Sequence, residues 1–240
     1  MPERQKYPTA HEKELQGKVR TNLDSPHPTP SQLARKAKSI AAIKELGLPF
    51  TDNLPVVEDE TSIKPRSREE IAERALALAI CAVKGEANDQ KFVDELITRY
   101  AAKQLFTPAE LAFITNHSPT QQQLTDFTWQ YECVHVLLWA LGHREKLQTP
   151  NQICDVPGDI SLIRDLGREK LSSTAHPRSL SEILDQADYY YRLHWAAIEL
   201  RLNGQSSDKI NEEIIDERHK ALNWLIRYMG QNWDDITTDT

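Results

Sequence analysis

The amino-acid sequence predicts an all-α protein, built as a single helical domain of about seven to eight helices. Apolar residues recur at three- and four-residue intervals along most of the chain, which is the period of an amphipathic helix. Capping boxes precede several of these stretches, as in SREE before IAERALALAI and SLSE before ILDQADYYYR. No alternating apolar run flanked by turns occurs, and 8 glycines in 240 residues are few for a turn-rich β architecture.

The N-terminal region is predicted to be a flexible arm followed by the first helix. Residues 1–30 are polar and close on SPHPTP, a composition that cannot form a packed core and predicts a disordered or loosely packed arm. A helix is then predicted from about Ser31 to Leu46, with Gly47 as its C-cap. The single all-α domain is therefore expected to span residues 31–240.

The remaining elements follow from anchors, caps and periodicity. The segment LPFTDNLPVVEDETSIKPR is predicted to run extended over the domain surface, anchored by Leu54, Val56 and Val57. Three capping boxes mark later helix starts and pair Ser67 with Glu70, Thr107 with Glu110, and Ser179 with Glu182. One long helix is predicted across SPTQQQLTDFTWQYECVHVLLWALG, then a loop across TPNQICDVPGDI and a weak helix. The last helix, SSDKINEEIIDERHKALNWLIRYMG, is predicted to end at Gly230.

Charge, hydropathy and cysteine usage exclude several classes of protein. The net charge of -7 argues against general nucleic-acid binding, which needs a basic face. The longest apolar run, CVHVLLWAL, is far below the roughly 18–20 residues that span a bilayer, and the N-terminus lacks the apolar region of a secretory signal. Cys81, Cys133 and Cys154 form no C-x-x-C pair, which is typical of reduced thiols in the cytoplasm, with Cys133 a small core residue. We therefore expect a cytoplasmic protein without nucleic-acid or membrane partners.

Several charged residues interrupt apolar helix faces. Glu217 and Arg218 lie within adjoining apolar stripes of the last helix. In the preceding helix, Asp188 and Arg192 are spaced to pair at i, i+4. His194 occupies an apolar stripe of that same helix. On the last helix, the face opposite its apolar stripes is expected to be solvated and carries Asp216, His219, Asn223 and Arg227.

Glu132 lies where the long helix becomes apolar on every side, and an unpaired buried carboxylate costs several kcal/mol. It therefore needs a cation. We predict one buried network. In this network the preferred partner of Arg218 is Glu132, and the second choice is Asp188. Its members are Glu132, Asp188, Arg192, Glu217 and Arg218, with His194 at its edge. Such a network either fixes the register of the helices or lines a cleft.

The C-terminal segment is expected to be part of the domain. Trp233 follows the predicted helix end at Gly230, and a tryptophan in a frayed tail has no packing role. We predict that Trp233 folds back onto the core and holds Asp234 and Asp235 near the end of the helix. Those two carboxylates could then receive a buried arginine or the backbone donors of a loop.

No catalytic or metal-binding motif stands out. ECVH and DERH each place a carboxylate and a histidine at i, i+3, as in the helical di-iron sites, but the second copy has aspartate on a face expected to be solvated. The sequence also lacks G-x-S-x-G, H-E-x-x-H and the phosphate-binding G-x-x-x-x-G-K-[ST]. We expect no metal ion and no cofactor.

The ordered combination of several segments resembles a known family. These are LPVVEDETSIKPRSREEIAERALAL, FTPAE, WQYECVHVLLWALG, LSEILDQADYYYRLHWAAIE, DERHKALNWL and WDDITTDT. They resemble the bacterial family catalogued as domain of unknown function 4272, over about residues 35–240. The family pattern includes Glu132 and Arg192. The resemblance implies a shared fold and supplies no activity.

Two functional hypotheses remain open. The first is a non-catalytic binding protein that receives a partner in a groove beside its last two helices. The partner considered is another protein. The alternative is an enzyme that uses Glu132 or Glu217 as general base and arginines to hold a small anionic substrate in a polar cleft. Geometry discriminates between them, since an open pocket favours the enzyme and charges sealed beneath Trp139, Trp195 and Trp224 disfavour it.

Overall fold

The computed structural model describes residues 27–240. Positions 1–26 of the predicted arm lie outside the described residues. The described part of the chain is helical and contains no β-strand, which confirms the all-α class. The α-helices are α1 (Pro30–Glu45), α2 (Arg68–Ala87), α3 (Gln90–Arg99), α4 (Pro108–Thr115), α5 (Gln121–Trp129), α6 (Tyr131–Ala140), α7 (Val156–Ser173), α8 (Leu180–Leu202) and α9 (Glu212–Leu225). Short 3-10 turns occupy Glu60–Ser62, Ala102–Gln104, Tyr228–Gly230 and Trp233–Asp235.

Local capping chemistry sets the helix starts where the sequence predicted them. The boxes of Ser67 with Glu70, Thr107 with Glu110 and Ser179 with Glu182 all form at the first turns of α2, α4 and α8. In each box the hydroxyl accepts from a backbone N–H and the glutamate reaches back to the cap residue. Helix α1 begins one residue before the predicted Ser31, because Thr29 and Gln32 form a further capping box.

Two predictions between positions 118 and 173 are wrong in detail. The long helix is divided at Gln130, a turn residue with φ of -62° and ψ of -10° that separates α5 from α6. The predicted loop before α7 is too long, because Asp155 accepts from the backbone N–H of Gly158 and starts that helix at Val156. Helix α7 is itself interrupted at Gly167, where φ is 66°.

The last helix is shorter than predicted, and the chain after it turns back on the core. Helix α9 ends at Leu225 rather than at Gly230, because Arg227 and Met229 adopt positive φ values of 55° and 50°. The returning segment, residues 231–240, is called the closing segment below. It brings Trp233, which is 3% exposed, into an edge-to-face contact with Trp224 at 5.7 Å between ring centroids. The predicted fold-back of Trp233 is confirmed.

The core is organised around α2 and α6, whose residues are mostly buried. Helix α2 packs against α5, α6 and α7, while α9 packs against α6 and α8, and α1 packs against α8. The contact of α2 with α5 depends on Gly85, since a Cβ atom there would lie 2.7 Å from the Leu124 carbonyl oxygen. None of the helices described among residues 27–240 is long and apolar enough to cross a bilayer.

The segment between α1 and α2 runs extended over the domain, as predicted. Val56 and Val57 are buried, whereas Leu54 is half-buried. Polar side chains also hold the backbone of this segment. Gln32 donates to the Val57 carbonyl at 2.7 Å, and Arg192 donates to the Pro55 carbonyl at 2.7 Å. The segment is thus attached by both apolar contacts and hydrogen bonds.

Candidate functional site: an acidic pocket beside the last helix

A fully buried ion pair joins α6 to α9. Arg218 donates from Nε to Oε2 of Glu132 at 2.8 Å, and neither side chain is exposed. The observed partner of Arg218 is therefore Glu132, the one that the sequence predicted first. Burial alone would lower the pKa of Arg218, but attraction to the Tyr190 oxygen and the Glu132 carboxylate and their hydrogen bonds raise it above its ordinary value. Arg218 stays charged.

Further partners of the pair lie in the loop before α7 and on α8, whereas Arg218 Nη2 has no hydrogen-bond partner within the described chain. Arg218 Nη1 donates to the carbonyl of Gln148 at 2.6 Å and to the hydroxyl of Tyr190 at 2.9 Å. The second carboxylate oxygen of Glu132 accepts from the backbone N–H of Cys154 at 2.7 Å. The pair therefore connects three helices, α6, α8 and α9, and a loop from the inside. It is sealed, which is the geometry that disfavours Glu132 as a general base.

Asp188 and Arg192 form a second, separate pair on α8. Their side chains are joined by two hydrogen bonds of 2.9 Å, and the residues are 0% and 2% exposed. The guanidinium group of Arg192 also donates hydrogen bonds to carbonyl oxygens of the extended segment. Among the described residues, no hydrogen bond joins this pair to that of Glu132 and Arg218. The prediction of one network is wrong, because helical periodicity shows which face a charge occupies and not which neighbour packs on that face.

The face of α9 expected to be solvated is in part buried. His219 and Asn223 are 0% and 1% exposed. His194 of α8 lies at the predicted buried position, and its Nδ1 is 3.1 Å from Nδ1 of His219. The closing segment covers the part of this face around Asn223, which donates to the Thr237 carbonyl at 2.8 Å. The prediction failed because it treated α9 as a surface helix, whereas α8 and the closing segment enclose it.

An acidic pocket of about 190 Å³ lies between the start of α4, the end of α5, α9 and the closing segment. We call it the acidic pocket. Four carboxylates line it, from Glu110, Asp126, Glu217 and Asp234, together with the one lysine of the lining, Lys220. Glu217 and Asp234 belong to the residues singled out from the sequence. The structure therefore brings two predicted residues together here, apart from the two buried pairs.

Three buried polar atoms at this pocket have no hydrogen-bond partner within the described chain. They are Oε1 of Glu110, Oε1 of Gln130 and Nε1 of Trp233. These residues are 1%, 8% and 3% exposed, so little water reaches them from bulk solvent. The other oxygen of Glu110 is satisfied by Arg74 and by the backbone of Thr107. A buried polar group without a partner costs about 1–3 kcal/mol, which a ligand with matching groups would offset.

Glu217 lies at the inner wall of the pocket. It is 4% exposed, and its Oε2 accepts from the thiol of Cys133 at 3.2 Å. Burial, followed by the charge of Glu217, raises the pKa of Cys133 well above its ordinary value. Cys133 therefore remains a protonated thiol and offers no nucleophile to the pocket.

Aromatic rings and the closing segment complete the walls. The centroid of the Trp233 ring lies 5.3 Å from the Arg74 guanidinium carbon and 5.2 Å from the Lys220 ammonium. Asp234 Oδ2 accepts from the backbone N–H of Ala109 at 3.1 Å, so the closing segment is bound to the first turn of α4. The donor is a backbone N–H of a helix, whereas the partners expected from the sequence were a buried arginine or the backbone donors of a loop. Asp235 is exposed and does not line the pocket.

A histidine, a cysteine and an aspartate meet elsewhere in the core. One side-chain atom each from His135, Cys154 and Asp159 lie within 4.8 Å of one another, and all three residues are buried. His135 Nδ1 is 2.8 Å from Asp159 Oδ2, and Arg144 donates to Asp159 Oδ1 at 2.5 Å. Burial and the Glu132 charge raise the pKa of Cys154. A protonated thiol and an arginine on the carboxylate both oppose a metal ion, which requires deprotonated ligands.

Several residues of the acidic pocket were not identified from the sequence as site residues. Glu110 was recognised only as a capping residue, and Gln130 was placed inside a continuous helix. Asp126 and Lys220 were not singled out. Only Gln130 carried a usable signal, as a polar residue next to a helix, α6, whose residues are all buried.

The fold and the site together define an all-α domain with one acidic pocket closed by its own C-terminal segment. The family model described as Domain of unknown function (DUF4272) matches residues 35–236. The chain belongs to this family, as the sequence resemblance indicated. No curated protein and no solved structure matches the chain.

Proposed function

We propose that this protein is a non-catalytic binding protein that receives a cationic side chain of a partner protein in the acidic pocket. The observation that carries the proposal is the pair of buried acceptors without donors, Glu110 Oε1 and Gln130 Oε1. Four carboxylates exceed the two nearby cations, Lys220 in the lining and Arg74 on Glu110, so the pocket is acidic. Ammonium and guanidinium groups supply hydrogen-bond donors together with positive charge and contain no acceptor.

The size and walls of the pocket support a side-chain head group as the ligand. Its volume of about 190 Å³ is below the range of roughly 300–1,000 Å³ typical of pockets for drug-sized molecules. Trp233 and Phe127 supply aromatic surface, which suits both a cation and its methylene stem.

A peptide segment satisfies the pocket better than a free amine. The indole Nε1 of Trp233 is a buried donor without an acceptor. A cation alone leaves that donor unpaired, whereas a lysine or arginine within a peptide also brings backbone carbonyl oxygens. We therefore take the partner to be a protein with an exposed basic residue.

An enzyme acting on a small anion receives less support. The arginines proposed to hold such a substrate, Arg192 and Arg218, are enclosed in the two buried pairs and do not line the acidic pocket. The carboxylates that do line it repel an anion. Glu217 is the remaining candidate base, and the thiol of Cys133 already donates to it.

The cytoplasm is the compartment we propose for this binding. Cys81, Cys133 and Cys154 are all buried free thiols. Unpaired cysteines are typical of proteins kept in a reducing compartment. The net charge of -7 suits association with a basic partner.

The proposal is tested by titrating the protein with blocked amino acids. The probes are the N-acetyl methylamides of lysine and arginine, and the matched neutral control is the same derivative of norleucine. The readout is the indole N–H signal of Trp233 in NMR spectra, assigned with Trp233→Phe. We expect saturable shifts of this signal with the two cationic probes and none with norleucine. Equal shifts with norleucine, or no saturation with either cation, would overturn the proposal.

A pair of adjacent substitutions supplies the control for charge. Asp234→Asn removes a carboxylate that lines the pocket, and Asp235→Asn removes an exposed carboxylate that does not. Both change the net charge by one unit. We expect the first to weaken lysine-probe binding about fivefold, or about 1 kcal/mol, and the second to leave it within about twofold. The same loss in both variants would show a general charge effect and contradict a specific pocket.

A further inference from the structure

A second cavity lies between α1, α8 and the loop at positions 147–150. Its volume is about 240 Å³, and it shares no lining residue with the acidic pocket. Nothing in the proposed function uses it. Its lining carries Arg35 and Lys38 against one carboxylate, that of Asp185.

Arg35 supplies a buried donor at this cavity. Its side chain is 3% exposed, although it belongs to the first helix. Nε donates to Asp185 at 3.0 Å and Nη2 donates to Glu60 at 2.9 Å. Nη1 has no hydrogen-bond partner within the described chain. A buried guanidinium N–H without an acceptor is unfavourable, so this atom indicates an oxygen ligand.

Tyr190 supplies a second donor, and the buried ion pair holds it in place. The phenolic oxygen accepts from Arg218 Nη1 at 2.9 Å, and the same guanidinium nitrogen donates to the carbonyl of Gln148. Tyr190 and Gln148 both line the cavity. A phenol that accepts at its oxygen still has its own O–H to donate. The sealed pair of Glu132 and Arg218 therefore fixes one wall of a cavity that it does not itself line.

The charges and walls restrict the class of ligand. The two cations of the lining are balanced by the two carboxylates that pair with Arg35, which are Asp185 in the lining and Glu60 beside it. The unpaired N–H of Arg35 therefore favours an oxygen acceptor of low charge, because a doubly charged phosphate would be repelled by both carboxylates. Leu147, Pro150 and the ring of Tyr189 give part of the wall an apolar character. These features suit a monoanionic oxygen group on a short apolar stem.

We infer that this cavity binds a small organic carboxylate, with Arg35 and Tyr190 as buried donors and Lys38 at the mouth. The carboxylate accepts from Arg35 Nη1 and from the Tyr190 hydroxyl. The ammonium of Lys38 pairs with Asp185 at 2.6 Å, and its side chain is 73% exposed, so it adds positive potential at the mouth of the cavity. Arg218 is a positioning residue here, because it acts through Tyr190 and Gln148.

Calorimetric titration with four probes tests the assignment. Benzoate and butyrate are the carboxylates, benzamide is the neutral control of matched shape, and inorganic phosphate tests the competing anion. We expect saturable binding of at least one carboxylate with a dissociation constant on the order of 1 mM, and benzamide binding at least about tenfold weaker. Equal binding of benzamide, or no saturation with either carboxylate, overturns the inference. Binding of phosphate alone overturns the choice of carboxylate.

Matched lysine variants locate the binding. Lys38 lines the cavity, whereas Lys44 lies on the same helix outside the lining. We expect Lys38→Gln to weaken carboxylate binding about fivefold and Lys44→Gln to leave it within about twofold. Tyr190→Phe keeps the ring and removes the donor, so binding should fall about tenfold with an unchanged circular dichroism spectrum. If Tyr190→Phe does not fold, the two lysine variants decide, and equal effects in both reject the site.

Discussion

Arg218 Nε donates to Glu132 Oε2 at 2.8 Å, across 86 positions of sequence, and both side chains are fully buried. Replacing Arg218 by Met keeps most of the side-chain volume and leaves the carboxylate of Glu132 buried without its cation. We expect a loss of about 3–5 kcal/mol in the free energy of unfolding, measured by urea denaturation. Arg164→Met is the control, because its pair with Asp165 is exposed and should change stability by no more than about 0.5 kcal/mol.

Neutralising both partners should recover part of that loss. In the double variant Arg218→Met with Glu132→Gln, neither buried charge is left unpaired, so the two effects are not additive. The comparison of both single variants with the double variant measures the coupling directly. A loss of about 0.5 kcal/mol or less in Arg218→Met alone would contradict the buried pair.

Gly85→Ala tests the close approach of α2 and α5. Alanine is favoured over glycine by about 1 kcal/mol within a helix, so propensity alone predicts a more stable protein. An added Cβ at Gly85 would instead lie 2.7 Å from the Leu124 carbonyl oxygen and from Thr128 Oγ1. Overpacking of this kind costs about 1–3 kcal/mol, and we expect it to outweigh propensity and lower the melting temperature. An unchanged or higher melting temperature would show that the helices separate without cost.

The carboxylate of Asp59 should give the protein part of its acid sensitivity. Hydrogen bonds from the Thr61 side chain and backbone and from Thr29 lower the pKa of Asp59 from 3.8 to about 2. A lowered pKa means that the stabilisation is complete above the ordinary pKa of 3.8 and is lost as the pH falls through about 2. Asp59→Asn should therefore be less stable than the parent protein near neutral pH. Urea midpoints of the two proteins should converge as the pH falls between these values, and a constant difference would contradict the pKa assignment.

We expect the cluster of His135, Cys154 and Asp159 to hold no stoichiometric metal ion. Arg144 already compensates Asp159, and the raised pKa of Cys154 keeps its thiol protonated. Elemental analysis of dialysed protein should find well below one zinc, iron or manganese ion per chain, with the same result for His135→Ala. A near-stoichiometric ion that disappears in His135→Ala would establish a metal site here.

The helical architecture could be predicted because its determinants are local. A capping box joins residues three apart, and an amphipathic stripe repeats within one or two turns, so both are visible in a short stretch of sequence. The boxes at Ser67, Thr107 and Ser179 accordingly form where they were predicted. The errors fell where an end depends on an unrecognised cap, as at Asp155, or on positive φ values, as at Arg227 and Met229.

The buried charges were partly predictable because desolvation demands a partner. The sequence indicated that Glu132 and Arg218 need opposite charges, and the structure joins them. It did not indicate that Arg192 would hold the extended segment, or that His219 would face His194. Each of these contacts depends on which element covers a given helix face.

By itself, the sequence determined that the chain forms amphipathic helices, where several of them begin, and that Glu132 and Arg218 require buried partners. Only the tertiary structure decided where a pocket lies. Glu110 and Glu217 come from α4 and α9, Gln130 comes from the break between α5 and α6, and Asp234 comes from a segment that turns back after the last helix. None of these residues forms a motif with another, because their separations along the chain carry no periodicity. They meet because packing of the helices, completed by Trp233 on the core, brings distant polar groups to one surface.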